Sequence, residues 1–138
     1  MIRISEKIPS KLELVPGFSL SLIDKISSLP LKEEEFFNIK LCLDEALVNA
    51  IKHGNKLNPD LPVEVDIEAD DNSITLKVKD QGAGFDFQNI PEPIRPDTIH
   101  KVSGRGIFLI KSLMDEVEFF DYGKVIKMVK LIRKGGRR

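Results

Sequence analysis

LCLDEALVNAIKHG, residues 41–54, decides how this chain is read. Leu43, Leu47 and Ala50 recur at helical spacing and supply an apolar face that can pack inward. Glu45 and Asn49 stand one turn apart on a different side, and Lys52 and His53 lie a further turn along. A helix that only filled a core would not need a carboxylate, an amide and a cation on one stripe. The segment closes on Gly54, which reads as a left-handed terminator. The pattern predicts a packed helix that is also one wall of a site.

Outward from this helix the order of elements follows. Glu33, Glu34 and Glu35 place acids at its start, where the macrodipole favours them. Upstream, Leu12, Val15, Phe18, Leu22, Ile26 and Leu29 predict one earlier helix, with Pro16 tolerated near its start and Leu29-Pro30 at its end. Ile2, Ile4 and Ile8 alternate with polar residues as in a strand. Downstream, Asn58-Pro59-Asp60 is turn chemistry. Val63, Val65 and Ile67, then Ile74, Leu76 and Val78, alternate on either side of Asp71-Asn72 and predict an antiparallel hairpin. A long stretch containing Pro91, Pro93 and Pro96 reads as a loop. Ile107, Ile110 and Met114 then give a helix, and Val117–Phe120 and Val125–Leu131 give two strands around Tyr122-Gly123.

The order β-α-α-β-β-loop-α-β-β predicts an α+β fold. It is a two-layer sandwich whose mixed, mainly antiparallel sheet is covered on one face by helices. A parallel dinucleotide-binding sheet would need crossover helices between its strands, which the two hairpins contradict. No repeat or internal boundary is visible, so residues 1–138 read as a single domain.

Composition narrows the function classes. The apolar content of 41% and charged content of 31% are those of a globular protein with a charged surface. A formal net charge of −1 gives no global attraction to nucleic acid or to a membrane. Arg133, Lys134, Arg137 and Arg138 form a basic tail over 133–138, read as a solvated terminus. The single cysteine, Cys42, excludes an internal disulfide and a cysteine-built zinc site. MIRISEKIPS has no apolar signal-peptide core, and the uncharged run 14–23 falls short of the roughly 20 residues that span a bilayer. A cytoplasmic location is the expectation.

Two glycine pairs add chemistry. Asp80-Gln81-Gly82-Ala83-Gly84 follows a strand, and it reads two ways. The acid can accept from an exocyclic amine such as that of adenine, with the glycines admitting the base, or the segment is a plain turn with an Asx cap. Gly104-Arg105-Gly106 precedes a helix, whose free N–H groups suit phosphate, while Ser103 as a helix cap is the other reading. Neither pair fits the Walker A or GxGxxG pattern.

Taken in register, ExxxNAxKHG on a helix, DxGxG after a strand, then a loop and GxG before a helix resemble the GHKL ATP-binding fold of histidine kinases, gyrase and MutL. Within it the chain is similar to the anti-sigma factor serine kinases of the RsbW and SpoIIAB group, notably through SGRGIFLIKSLMDEVEF at 103–119. The resemblance spans about residues 2–132 and implies an ATP site using Mg²⁺. Asn49 would hold the metal and Glu45 would be the catalytic general base. Lys52 would face the phosphates, Asp80 the adenine amine, and Gly82 and Gly84 the base. Gly104 and Gly106 would line the phosphates, Arg105 would reach phosphate or solvent, and residues 86–103 would form an ATP lid stiffened by its prolines. His53 reads equally as packing or as a ligand contact, and His100 as solvent-exposed.

The resemblance further implies a serine-protein kinase that sequesters a sigma factor and phosphorylates a STAS-domain anti-anti-sigma protein by partner switching. The group commonly dimerises, so a homodimer is expected, with no direct nucleic-acid or membrane contact. The alternative is a nucleotide-binding regulatory module that sequesters a partner without useful catalysis. A sensor histidine kinase catalytic domain is the third reading, and it requires a dimerising helical hairpin that this sequence lacks.

Overall fold

The alternation seen at residues 63–78 becomes the centre of an open antiparallel sheet of five strands, ordered β1-β2-β3-β5-β4. The structure, a computed structural model, describes residues 1–82 and 106–132. The strands are β1 (Ile2–Pro9), β2 (Pro62–Ala69), β3 (Ser73–Lys79), β4 (Glu116–Phe120) and β5 (Val125–Leu131). The helices are α1 (Val15–Lys25), α2 (Glu33–Asn49) and α3 (Gly106–Leu113). A mixed sheet was the expectation, but every pairing among the described strands is antiparallel.

Period-2 alternation sorts the sheet into two unlike faces. Val65 lies opposite Val78, Ile67 opposite Leu76, Leu76 opposite Met128, and Val78 opposite Ile126. These side chains are buried in one core with Leu22 of α1, Ile26 just past its end, Leu43 and Leu47 of α2, and Ile107 and Ile110 of α3. Each such side chain contributes about 1.5–3 kcal/mol on burial. The opposite face pairs charges across the strands: Glu64 faces both Lys7 and Lys79, and Asp66 faces Lys77. Lys127 and Glu118 approach to 3.8 Å on the same face. The helices therefore cover one face, as the pattern predicts.

Two helix boundaries differ from the sequence reading. The predicted helix over 12–29 is a 3₁₀ turn (Leu12–Leu14), then α1, then turns past Ile26. Pro16 sits at the first turn of α1, where its missing N–H is harmless. Ser19, fully buried in α1, donates to the Asp44 carboxylate of α2, so a polar contact as well as packing fastens the two helices, and Lys40 pairs with Asp44 at 3.0 Å within α2. At the start of α2, Glu35 Oε1 accepts from the Lys32 N–H at 3.0 Å.

The second difference lies at the other end of α2. The helix does not run on to His53; it widens into a π turn over Ala50–Gly54. Gly54 is not a left-handed terminator. The left-handed residues are Lys56 (φ 56°) and Leu57 (φ 62°), beyond the turn. Gly54 is a glycine for a different reason, which belongs to the site.

Candidate functional site

Two clusters of side chains meet the same helix about one turn apart. The first gathers where α3 begins against α2. Glu45 and Asn49, at i and i+4, point together while Leu43 and Leu47 on the opposite side of the helix are fully buried. A Cβ placed on Gly106, the first residue of α3, would stand 2.6 Å from Glu45 Oε2 and 3.2 Å from Asn49 Nδ2. With any larger residue at 106, the Glu45 carboxylate would have to move from its observed place. The Asn49 Nδ2 atom is buried and has no hydrogen-bond partner among the described residues. A buried donor left unsatisfied costs about 1–3 kcal/mol, and this one stands beside the Glu45 carboxylate at the start of α3.

Cys42 lies beneath this cluster. Burial, and then the nearby Glu45 charge, push its thiol up to about 12 against the opposing charge of Lys130. It stays protonated and packs as a small apolar group.

The second cluster forms where the π turn meets the end of β3. Asn55 N–H donates to Ala50 O at 2.8 Å, five residues back, and the wider turn delivers Gly54 against Asp80. A Cβ on Gly54 would lie 2.3 Å from both Cγ and Oδ2 of Asp80, and one on Gly82 would lie 2.0 Å from the Gly54 carbonyl oxygen. Both glycines are thus required by close approach rather than by a positive φ.

Asp80 is 6% exposed. Burial raises its carboxyl above the usual carboxylate range. The Gly82 N–H and the Lys124 charge pull it back, while the Asp121 charge adds to the rise. Asp80 Oδ1 accepts from Gly82 N–H at 2.9 Å, and the Asp80 N–H donates to Lys124 O at 3.0 Å. That carbonyl follows the β4–β5 turn, where Asp121, Tyr122 and Gly123 are all left-handed.

Five residues named from sequence therefore come together in two groups: Glu45, Asn49 and Gly106, and Asp80 with Gly82. Lys52 does not join them. Its side chain is exposed and makes no ion pair or hydrogen bond among the described residues. His53 is exposed as well, and partial desolvation with the charges of Lys52 and Lys56 lowers its pKa. Gly84, Gly104, Arg105, His100, the lid over 86–103 and the tail over 133–138 lie outside the described residues. Sequence reasoning missed Gly54 as part of the site, and it missed Asn55 and the Lys124 carbonyl altogether. An Asn after a helix-ending glycine reads as a turn residue, and a backbone carbonyl leaves no signal.

Among the described residues no group of three or more His, Cys, Asp or Glu side chains could hold a metal alone. No described helix is long and apolar enough to cross a membrane.

A buried acid beside two glycines at a strand end thus lies about one turn of α2 from a carboxylate–amide pair that faces the start of α3. The chain belongs to the histidine kinase-like ATPase domain family, whose pattern matches residues 8–130. It is similar to the serine-protein kinase RsbW of Staphylococcus epidermidis, at 30% identity over 95% of this chain and 87% of the relative. It is similar too to the serine-protein kinase RsbW of Listeria innocua, at 29% identity over 96% of this chain and 88% of the relative. In three dimensions it resembles the crystal structure of the RsbU and RsbW domains of a Mycobacterium tuberculosis protein, with a TM-score of 0.65 at 12% identity. That match covers 96% of this chain and 32% of the longer one, and it bears on the fold alone.

Proposed function

We propose that this chain is an ATP-dependent serine-protein kinase and anti-sigma factor, which phosphorylates a STAS-domain antagonist and sequesters a sigma factor by partner switching. The observation that carries the reading is the pair of clusters on one helix, Glu45–Asn49 under Gly106 and Asp80 between Gly54 and Gly82. Membership of an ATPase domain family and likeness to kinases named for serine support it.

In this reading Asp80 selects the base. Its Oδ1 is occupied by the Gly82 N–H, so Oδ2 accepts from the exocyclic amine of adenine. Gly54 and Gly82 leave room beside it because neither carries a side chain. At the other end, Glu45 takes the proton from the attacking serine hydroxyl as its oxygen bonds to the γ-phosphorus and the bond to ADP breaks. Gly106 keeps the start of α3 against that carboxylate, where the N-terminal dipole favours negative charge.

Asn49 fits a hard-cation role. Asn49 is half-buried and its Nδ2 is buried without a partner among the described residues, so no hydrogen bond among them opposes presenting the oxygen instead. Asn49 Oδ1 would help to hold Mg²⁺, which would supply positive charge to offset that of the phosphates. Lys52, in solvent, contributes charge rather than contact. Gly84, Gly104 and Arg105 enter the proposal through the sequence resemblance. A homodimer and a cytoplasmic location complete it.

The test is transfer of label from γ-labelled ATP to purified STAS-domain proteins. The expected result is Mg²⁺-dependent phosphoserine on at least one of them. Tight ATP binding with no transfer to any would favour the non-catalytic regulatory module instead.

A further inference from the structure

Asn55 is 1% exposed and uses its whole carboxamide. Its Nδ2 donates to Ser10 Oγ at 2.9 Å, Leu61 O at 3.0 Å and Pro62 O at 3.2 Å. Its Oδ1 accepts from the Gln81 N–H at 2.7 Å. One side chain thus ties the end of the π turn to the residue after β1, the start of β2 and the segment leaving β3. An ordinary turn cap would bond within a few residues, whereas Gln81 is 26 positions away.

The consequence falls on Asp80. Three successive backbone N–H groups leave β3, and each has its own acceptor: Lys124 O for Asp80, Asn55 Oδ1 for Gln81, and Asp80 Oδ1 for Gly82. Only the middle acceptor is a side chain from another element. The residue before Asn55 is Gly54, which abuts Asp80 Oδ2. Asn55 therefore fixes the backbone on both sides of the contact that aims this oxygen.

We propose that Asn55 is a positioning residue for base selection, holding Asp80 so that Oδ2 accepts from an exocyclic amine and rejects a carbonyl at the same place. This rests on the nucleotide reading of Asp80 given above. A misaimed acceptor would still admit the sugar and phosphates, so the loss should appear in base discrimination rather than in nucleotide binding as a whole.

The test compares dissociation constants for ATP and inosine triphosphate, which differ in an amine against a carbonyl on the purine. Calorimetry uses the full chain as wild type, Asn55→Ala, Ser10→Ala and Asp80→Asn. The wild type should prefer ATP by roughly tenfold or more. Asn55→Ala should bring the two nucleotides to within about threefold, and Ser10→Ala, which removes one anchor of Asn55, should fall between. Equal weakening of both nucleotides with the preference intact would mean that Asn55 is only structural, and would overturn the proposal. Should Asn55→Ala fail to fold, Ser10→Ala decides by the same ratio. If Asp80→Asn abolishes the preference while the Asn55 and Ser10 variants keep it, only this inference fails. If the wild type shows no preference, the Asp80 reading and this inference fall together.

Discussion

Asp80, 6% exposed, lies between Gly54 and Gly82 at the end of β3. Burial disfavours its charge, yet the proposed contact with an amine needs that charge. A carboxyl whose pKa is raised on folding binds protons more tightly when folded, so its stability contribution is lost as pH rises from its unfolded pKa through its folded one. Nucleotide binding runs the other way, because protonated Asp80 cannot accept at Oδ2 in the same manner. ATP affinity should therefore fall as pH drops through the raised Asp80 pKa. In Asp80→Asn that pH dependence should vanish and affinity should drop by about tenfold or more. Its apo thermal midpoint at neutral pH should rise by roughly 2–5 °C. A lower midpoint, or unchanged ATP affinity, would contradict this account of the acid. Gly106→Ala probes the other cluster. Its methyl group would displace Glu45 Oε2, which lies 2.6 Å from that position, so phosphotransfer should fall while far-UV circular dichroism stays native. Full activity would mean that Glu45 need not sit where it does.

At the scale of elements, the π turn connects the two clusters. A regular helix through residue 54 would rotate Gly54 away from its observed bearing on Asp80, since each residue in a π turn advances through a smaller angle. The side-chain spacing at 45 and 49 was legible because an i, i+4 pair shows in any helix, and Leu43 and Leu47 mark the opposite, buried side. The π turn was not legible, because LVNAIKH carries no proline or glycine to announce it and Gly54 reads equally well as a plain helix end. Gly54 was read as a terminator on the commonest use of glycine after a helix. Its actual constraint is the Asp80 carboxyl, contributed from 26 residues further along, and no local pattern encodes that contact. Gly54→Ala should therefore cost more than a terminator substitution of exposed type. The methyl would meet Asp80 Cβ at 2.7 Å as well as the carboxyl, and the loss should be about 1–3 kcal/mol in urea denaturation, with weaker ATP binding. A neutral substitution would show that the turn can yield. Leu47→Ala, in the fully buried stripe of α2, should cost about 2–5 kcal/mol by the same measurement.

At the scale of the molecule, the sheet presents one packed face and one charged face, and the candidate site lies on the helical side. The alternation in β2 and β3 made this division readable from sequence, since shifting either strand by one residue would bury Glu64, Asp66 or Lys77. Strand order was less accessible. That β5 inserts between β3 and β4 depends on pairing across the whole chain, and Lys124, whose carbonyl holds Asp80, reaches the site only through that insertion. Charges on the open face are solvent-screened, and single substitutions such as Lys127→Ala should change stability by no more than about 0.5 kcal/mol and leave ATP affinity alone. Glu45 is the proposed general base, and its loss would leave an ATP binder in place of a kinase. The direct measurement is single-turnover phosphotransfer by Glu45→Gln to a STAS-domain acceptor, alongside its ATP dissociation constant. The predicted result is ATP binding within a few-fold of wild type and transfer slowed by about 10² or more; transfer at the wild-type rate would contradict it.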